Sequence, residues 1–281
     1  MYTKLISAEE LAPHIDDPQF LILDCRHDLT DADAGQRAYD QGHIPHALFI
    51  HLDKYLSGPK VDAQGVFQGR HPLPDKVQFI ATLRAFGICD DTQVVAYDAQ
   101  GGMYAARLWW MLRWIGHEAV AVLDGGVQAW QAAGCNLSTD IRLKETGCLH
   151  ERNALTRQVT VQDVIANLSS KCQTVVDARA PDRFKGDNET IDPAGGHIPG
   201  AKNRFFKDNL QADGRFKPAI QLREEWLQVL PSADNAIMQC GSGVTACHNL
   251  LALEVAGLSG AALYPGSWSE WCADAARPVE R

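Results

Sequence analysis

Ala236-Ile237-Met238-Gln239-Cys240-Gly241-Ser242-Gly243-Val244-Thr245-Ala246 joins a short apolar run to residues 247–256, which read as helical. A strand, a glycine-flanked turn and a helix make the half-unit of a parallel α/β sheet. The turn lies at the carboxyl end of the strand, where open sheets of this kind hold their ligands. Gly241 and Gly243 let the backbone bend tightly, so successive N–H groups converge above the Cys240 sulfur. The positive end of the following helix adds to that nest. Such a place stabilises anions and suits a sulfur that attacks as a thiolate.

Outward from this loop, the chain says the same thing twice. Ser7-Ala8-Glu9-Glu10 has the form of a capping box that opens a helix, and Thr160-Val161-Gln162-Asp163 offers a similar start. Phe20-Leu21-Ile22-Leu23-Asp24-Cys25-Arg26 corresponds to Gln173-Thr174-Val175-Val176-Asp177-Ala178-Arg179, a strand that ends in Asp-x-Arg both times. Gly42-His43-Ile44-Pro45 corresponds to Gly196-His197-Ile198-Pro199, and Leu123-Asp124-Gly125-Gly126-Val127-Gln128-Ala129-Trp130 to Tyr264-Pro265-Gly266-Ser267-Trp268-Ser269-Glu270-Trp271.

Each copy alternates strands and helices: 94–97, 105–115 and 120–123 in the first, and 236–239, 244–256 and 261–264 in the second. The pattern predicts two tandem α/β domains, each a parallel sheet flanked by helices on both faces. Residues 138–154 lack apolar periodicity and read as a linker between a domain at 1–137 and another at 155–281. The Cys240 loop has no counterpart thiol, because the first copy carries Asp98-Ala99-Gln100-Gly101-Gly102-Met103 there. The reactive chemistry is therefore expected in the second copy alone.

Composition narrows the partners. Of 281 residues, 46% are hydrophobic and 22% charged, and the net charge is −9 with no basic run, which argues against nucleic acid and anionic membranes. No apolar stretch is long enough to span a bilayer, and the opening Met1-Tyr2-Thr3-Lys4-Leu5 lacks a signal core, so a cytoplasmic protein is expected. Eight scattered cysteines make no C-x-x-C pair. Neither a metal site nor a disulfide framework is expected, and no organic cofactor has a motif here.

Taken together, Asp-x-Arg after the first strand, Gly-His-Ile-Pro in both halves, a cysteine-headed loop in the second half only and Gly-Ser-Trp-Ser-Glu-Trp near the end resemble the tandem rhodanese-type sulfurtransferases. The resemblance covers nearly the whole chain. It implies two rhodanese-like domains and a mechanism in which Cys240 takes up sulfur as a persulfide. A thiol, cyanide or a small thioredoxin-like protein then collects that sulfur. Cys-Gly-Ser-Gly-Val-Thr looks like the loop of members that use 3-mercaptopyruvate, whereas thiosulfate-preferring members often carry Cys-Arg-Lys-Gly-Val-Thr. A neutral loop offers hydroxyl and N–H donors that orient a carboxylate and a carbonyl, while a small dianion is recognised mostly by charge.

The resemblance also assigns residues. Cys240 is the nucleophile, and Gly241, Ser242, Gly243, Val244 and Thr245 form the loop that binds the donor. Arg183 matches the position that holds the substrate carboxylate, a task suited to bidentate guanidinium pairing. Similar enzymes carry a second arginine shortly before the second Gly-His-Ile-Pro. Here that region reads Asp187-Asn188-Glu189-Thr190-Ile191-Asp192-Pro193. His43 is a catalytic candidate because similar enzymes are proposed to pair a first-domain histidine with an acid, Asp31 or Asp33 here, and the loop serine. His197 carries the same motif in the reactive half, which favours a structural role for both histidines, as for Asp24, Arg26, Asp177 and Arg179. His46 stands where a glycine is usual. Cys247 reads as a buried cysteine, with a redox role as the alternative, and Trp109, Trp110, Trp268 and Trp271 as packing.

Two readings from other classes compete. A cysteine phosphatase also uses a cysteine-headed anion loop, but its closing arginine would fall at Ala246. A non-catalytic regulatory pair of rhodanese-like domains would not need the intact loop at Cys240.

Overall fold

The computed structural model describes residues 1–141 and 145–281. Ten strands are present among them: β1 Leu5–Ile6, β2 Phe20–Asp24, β3 Leu48–Phe49, β4 Gln93–Tyr97, β5 Val120–Leu123, β6 Arg157–Gln158, β7 Thr174–Asp177, β8 Lys202–Asn203, β9 Ala236–Gln239 and β10 Ala262–Leu263. They form two five-stranded sheets of identical topology, β1-β5-β4-β2-β3 and β6-β10-β9-β7-β8, with every pairing parallel. Parallel strands need covered faces, and the central ones carry continuous apolar runs for that reason. Val94, Val95 and Ala96 of β4 and Ile237 and Met238 of β9 are fully buried. Each of the larger of these side chains, Val94, Val95, Ile237 and Met238, contributes about 1.5–3 kcal/mol of hydrophobic stabilisation.

The first core gathers Ile22, Val95, Tyr97, Ala121, Leu123 and Trp130, and the second gathers Val164, Val175, Ile237, Tyr264, Trp268 and Trp271. Both capping boxes form. The Ser7 hydroxyl accepts from Glu10 N–H while Ser7 N–H donates to the Glu10 carboxylate, and Thr160 and Asp163 repeat the exchange. No helix among the described residues is long and apolar enough to cross a membrane.

The Asp-x-Arg motif explains why each strand end needs these residues. Arg26 pairs with the Asp24 carboxylate and donates to the carbonyl of Gly42 at 2.8 Å, and Arg179 does the same with Asp177 and Gly196 at 2.7 Å. A buried guanidinium thus ties the end of the strand to the glycine of Gly-His-Ile-Pro. In the next turn, His46 adopts φ 66° where the second copy has Gly200 at φ 76°. Histidine takes this left-handed conformation at a cost of about 1–2 kcal/mol. Its ring meets Asp16 at 3.0 Å.

The compact units differ from the expected boundaries. One comprises Met1–Gly58, Pro74–Leu155 and Leu210–Phe216, and the other Pro59–Leu73, Thr156–Asn209 and Lys217–Arg281. Residues 142–144 of the expected linker lie outside the described residues. Much of the remainder is tied to the first unit by backbone hydrogen bonds rather than by apolar side chains. Gly147 N–H donates to Arg84 at 2.7 Å, Arg152 N–H to Ile115 at 2.9 Å, and Ser138 pairs with His43 in both directions.

Candidate active site

In the second sheet the chain leaves β7 for β8 on one side and β9 for β10 on the other, so the carboxyl ends of β7 and β9 flank a topological switch point. Cys240 stands there, at the end of β9, and is 2% exposed. Its N–H donates to the Ser267 hydroxyl at 3.1 Å, and that hydroxyl donates to the Tyr264 carbonyl. The carbonyls of Cys240 and Gly241 accept from Trp268 and Ser269 N–H, both at 3.0 Å. The Gly-Ser-Trp-Ser segment is therefore the clamp that holds the loop. Gly243 has φ 76°, and a Cβ there would stand 2.3 Å from the Pro265 carbonyl oxygen, so both conformation and space require glycine. Beyond it the helix Thr245–Val255 directs its N-terminus at the loop.

The matching loop of the first unit shows what such a turn does with an anion. Asp98 stands in the place of Cys240, fully buried. Its carboxylate accepts from the N–H groups of Gln100, Gly102, Tyr104 and Ala105 at 2.7–3.0 Å. Burial pushes the Asp98 carboxyl up, and these four donors pull against that rise. Gly101 at φ 69° corresponds to Gly243. One nest thus carries its own carboxylate, and the other carries a thiol.

Two arginines and two acids flank the Cys240 loop within the second unit. Arg183, from the short helix Pro181–Lys185, pairs with Glu189 at 2.8 Å and with Asp192 at 3.3 Å. Arg70, from the Pro59–Leu73 segment, pairs with the other oxygen of Asp192. A Cβ placed on Gly241 would meet Arg70 Nη2 at 2.7 Å and Arg183 Nη1 at 3.7 Å, so both guanidiniums lie against the backbone beside Cys240. Their side chains are 21% and 20% exposed. Burial raises the Asp192 carboxyl, opposed by Arg70 and Arg183. Burial would raise Glu189 too, but N–H donors from Ile191 and Asp192 together with Arg183 leave it lowered. The next residue along, His71, places Nδ1 2.7 Å from the Ser242 hydroxyl. Arg70 N–H donates to the Ser269 hydroxyl, which pins this segment against the clamp.

The rhodanese-like domain family matches residues 7–133 and 160–274. The chain belongs to the rhodanese family. A probable 3-mercaptopyruvate sulfurtransferase of Pseudomonas aeruginosa is 44% identical over 279 residues, covering 98% of this chain and 97% of its own. A putative thiosulfate sulfurtransferase of Mycobacterium tuberculosis is 40% identical over 289 residues, covering 99% of this chain and 96% of its own. The crystal structure of SseA from Escherichia coli, a 3-mercaptopyruvate sulfotransferase, superposes with a TM-score of 0.82 at 32% identity over 95% of this chain and 100% of that one.

The residues singled out in the sequence of this rhodanese divide between the two units. Cys240, Gly241, Ser242, Gly243, Val244, Thr245 and Arg183 belong to one unit, and the contacts of Arg183 put it beside Gly241. His43 lies in the first unit with Nδ1 2.9 Å from the Tyr39 carbonyl and Nε2 3.1 Å from that of Asp140, its ring stacked on Tyr39. His197 repeats this, with Nδ1 2.9 Å from the Phe184 carbonyl and a stack on Phe184. Both rings act as posts of the Gly-His-Ile-Pro turn. The histidine that meets Ser242 within the second unit is His71. Asp31 is an exposed partner of Arg37. The Cys247 thiol donates to the Gly243 carbonyl at 3.3 Å.

Sequence reasoning missed Arg70 and His71, because they sit in a segment expected to belong to the first domain. Arg70 brings a second guanidinium beside Gly241, and residues 187–193 carry no arginine. In the first unit, His27, His51 and Asp53 bring ligand-type atoms within 4.8 Å of one another. His51 Nδ1 accepts from Asp53 N–H at 3.1 Å, which occupies that nitrogen's lone pair.

Proposed function

We propose that this rhodanese moves a sulfur atom from 3-mercaptopyruvate, through a persulfide on Cys240, to a thiol, cyanide or a thioredoxin-like protein. The observation that carries the donor is the pair of guanidiniums, Arg70 and Arg183, beside the backbone of the nucleophile. They match the carboxylate of a 2-oxo acid in charge and in fork geometry. The Ser242 hydroxyl, backed by His71, is suited to meet its carbonyl.

With the carboxylate so held, the Cys240 thiolate attacks the donor sulfur and the carbon–sulfur bond breaks. The electron pair passes into the enolate of pyruvate, whose negative oxygen the loop N–H groups and Ser242 stabilise. The proton lost by Cys240 ends on the methyl carbon of pyruvate, and His71 through Ser242 is the relay we assign to it. The substrate's own thiol proton travels with its sulfur, leaving Cys240–S–SH. An acceptor thiol then attacks the outer sulfur, becoming a persulfide and returning Cys240 as a thiol. Cyanide leaves as thiocyanate. We assign the reaction to the cytoplasm, where reducing conditions keep Cys240 able to attack.

A second reading, transfer from thiosulfate, draws on the same cation pair, which also suits a sulfonate. Steady-state kcat/KM for both donors, measured with cyanide as the common acceptor, separates the two. A clear preference for 3-mercaptopyruvate is expected, and a preference for thiosulfate overturns the assignment. After donor treatment, peptide mass analysis should place one added sulfur on Cys240, and Cys240→Ser should abolish transfer without loss of fold. Full activity in that variant, or sulfur on another cysteine, refutes the mechanism.

A further inference from the structure

Cys89 and Cys148 lie outside the residues used above, both in the first unit. Their sulfurs are 2.6 Å apart, although the residues are separated by 59 positions. The Cys148 N–H and its thiol both donate to the Cys89 sulfur, the N–H at 3.0 Å. Cys148 is exposed and Cys89 half-buried, whereas Cys25, Cys240, Cys247 and Cys272 are buried.

The backbone on each side holds this meeting in place. Cys89 N–H donates to the Thr92 hydroxyl at 2.9 Å. Leu149 N–H donates to Ile88 at 3.2 Å, and Arg84 Nε donates to the Leu149 carbonyl at 2.7 Å. His150 donates its N–H to Asp90 at 2.8 Å and sets its ring 3.0 Å from the same carboxylate. A Cβ on Gly147 would stand 2.1 Å from the Ile88 carbonyl oxygen, so the two strands of chain approach each other as closely as glycine allows. An exposed thiol and a half-buried one, held sulfur to sulfur by flanking hydrogen bonds, have little to rearrange on oxidation.

We propose that Cys89 and Cys148 are a reversible dithiol–disulfide couple, closed by a low-molecular-weight disulfide such as oxidised glutathione and reopened by excess thiol. The Cys89 sulfur, as a thiolate, attacks the disulfide and releases one thiol, leaving a mixed disulfide on Cys89. The Cys148 sulfur, having lost its proton, attacks that bond and releases the second thiol. Two electrons and two protons leave the pair, and the reagent's sulfur–sulfur bond is reduced to two thiols.

The test uses the whole protein equilibrated in mixtures of reduced and oxidised glutathione, quenched in acid, alkylated and analysed as peptides, with thermal unfolding alongside. The wild type is expected to yield a linked Cys89–Cys148 peptide under oxidising mixtures, with a rise in Tm of roughly 5–10 °C. Cys89→Ser and Cys148→Ser should give neither and should retain sulfur transfer. Recovery of both cysteines alkylated across the whole range, or of a stable glutathione adduct on either one with the other free, overturns the proposal.

Discussion

Arg70→Met tests the donor subsite most directly. Arg70 and Arg183 share Asp192 beside Gly241, and their side chains are about equally shielded, at 21% and 20% exposure. A charge-assisted hydrogen bond of this kind is worth about 1.5–3 kcal/mol, and partial exposure argues for about 2. At 1.4 kcal/mol per decade, kcat/KM for 3-mercaptopyruvate falls roughly 30-fold. Because the carboxylate is held alike in the ground state and the transition state, the loss belongs in KM, with kcat nearly unchanged. Product inhibition by pyruvate should weaken by the same factor. Arg70→Lys keeps the charge without the planar fork and is expected to fall between the two. The assay is steady-state kinetics with cyanide, run in parallel with thiosulfate. An unchanged KM, or an equal loss for both donors through kcat, refutes the reasoning that Arg70 reads the donor's carboxylate.

Asp98→Ala removes the acceptor of four N–H groups, three of them buried, and urea unfolding should show the first unit destabilised by at least about 3 kcal/mol. A loss within experimental error would mean that the nest is filled in some other way. Burial would raise the Glu225 carboxyl, yet hydrogen bonds from Arg204, Lys217 and Gln221 hold it at about 2, against 4.5 when free. A depressed pKa stabilises the fold above the free value, and that contribution is lost as pH falls from about 4.5 through about 2. Discounted for its partial exposure, Glu225→Gln should cost about 1 kcal/mol at neutral pH. The difference from wild type should vanish in strong acid, and a gap that persists there would assign the cost to packing.

What the sequence disclosed depended on how strongly physics marks each element. β4, β5 and β9 are buried on both faces, so their apolar runs stand out, and β5 and β9 end where the pattern predicts. The edge strands β1, β3, β6 and β8 are two residues long, too short for any periodicity to register. Cys240 was legible because its turn needs glycines that can be seen in the chain. Arg70 and His71 were not, since their place at the site comes from where a loop lies rather than from local pattern. The linker expected at 138–154 is a related case. Backbone hydrogen bonds fasten Gly147, Leu149 and Arg152, and such bonds leave no hydropathy trace.

Asp98 has a consequence for stoichiometry. A nest that already holds a carboxylate built into its own chain is saturated at every concentration of ligand, and neither a donor nor a competing inorganic anion can occupy it. The duplicated fold therefore counts as one equivalent. Sulfur loading should plateau at a single atom per chain, and a small anion competing with the donor should do so with simple one-site behaviour, even though the molecule contains the loop twice.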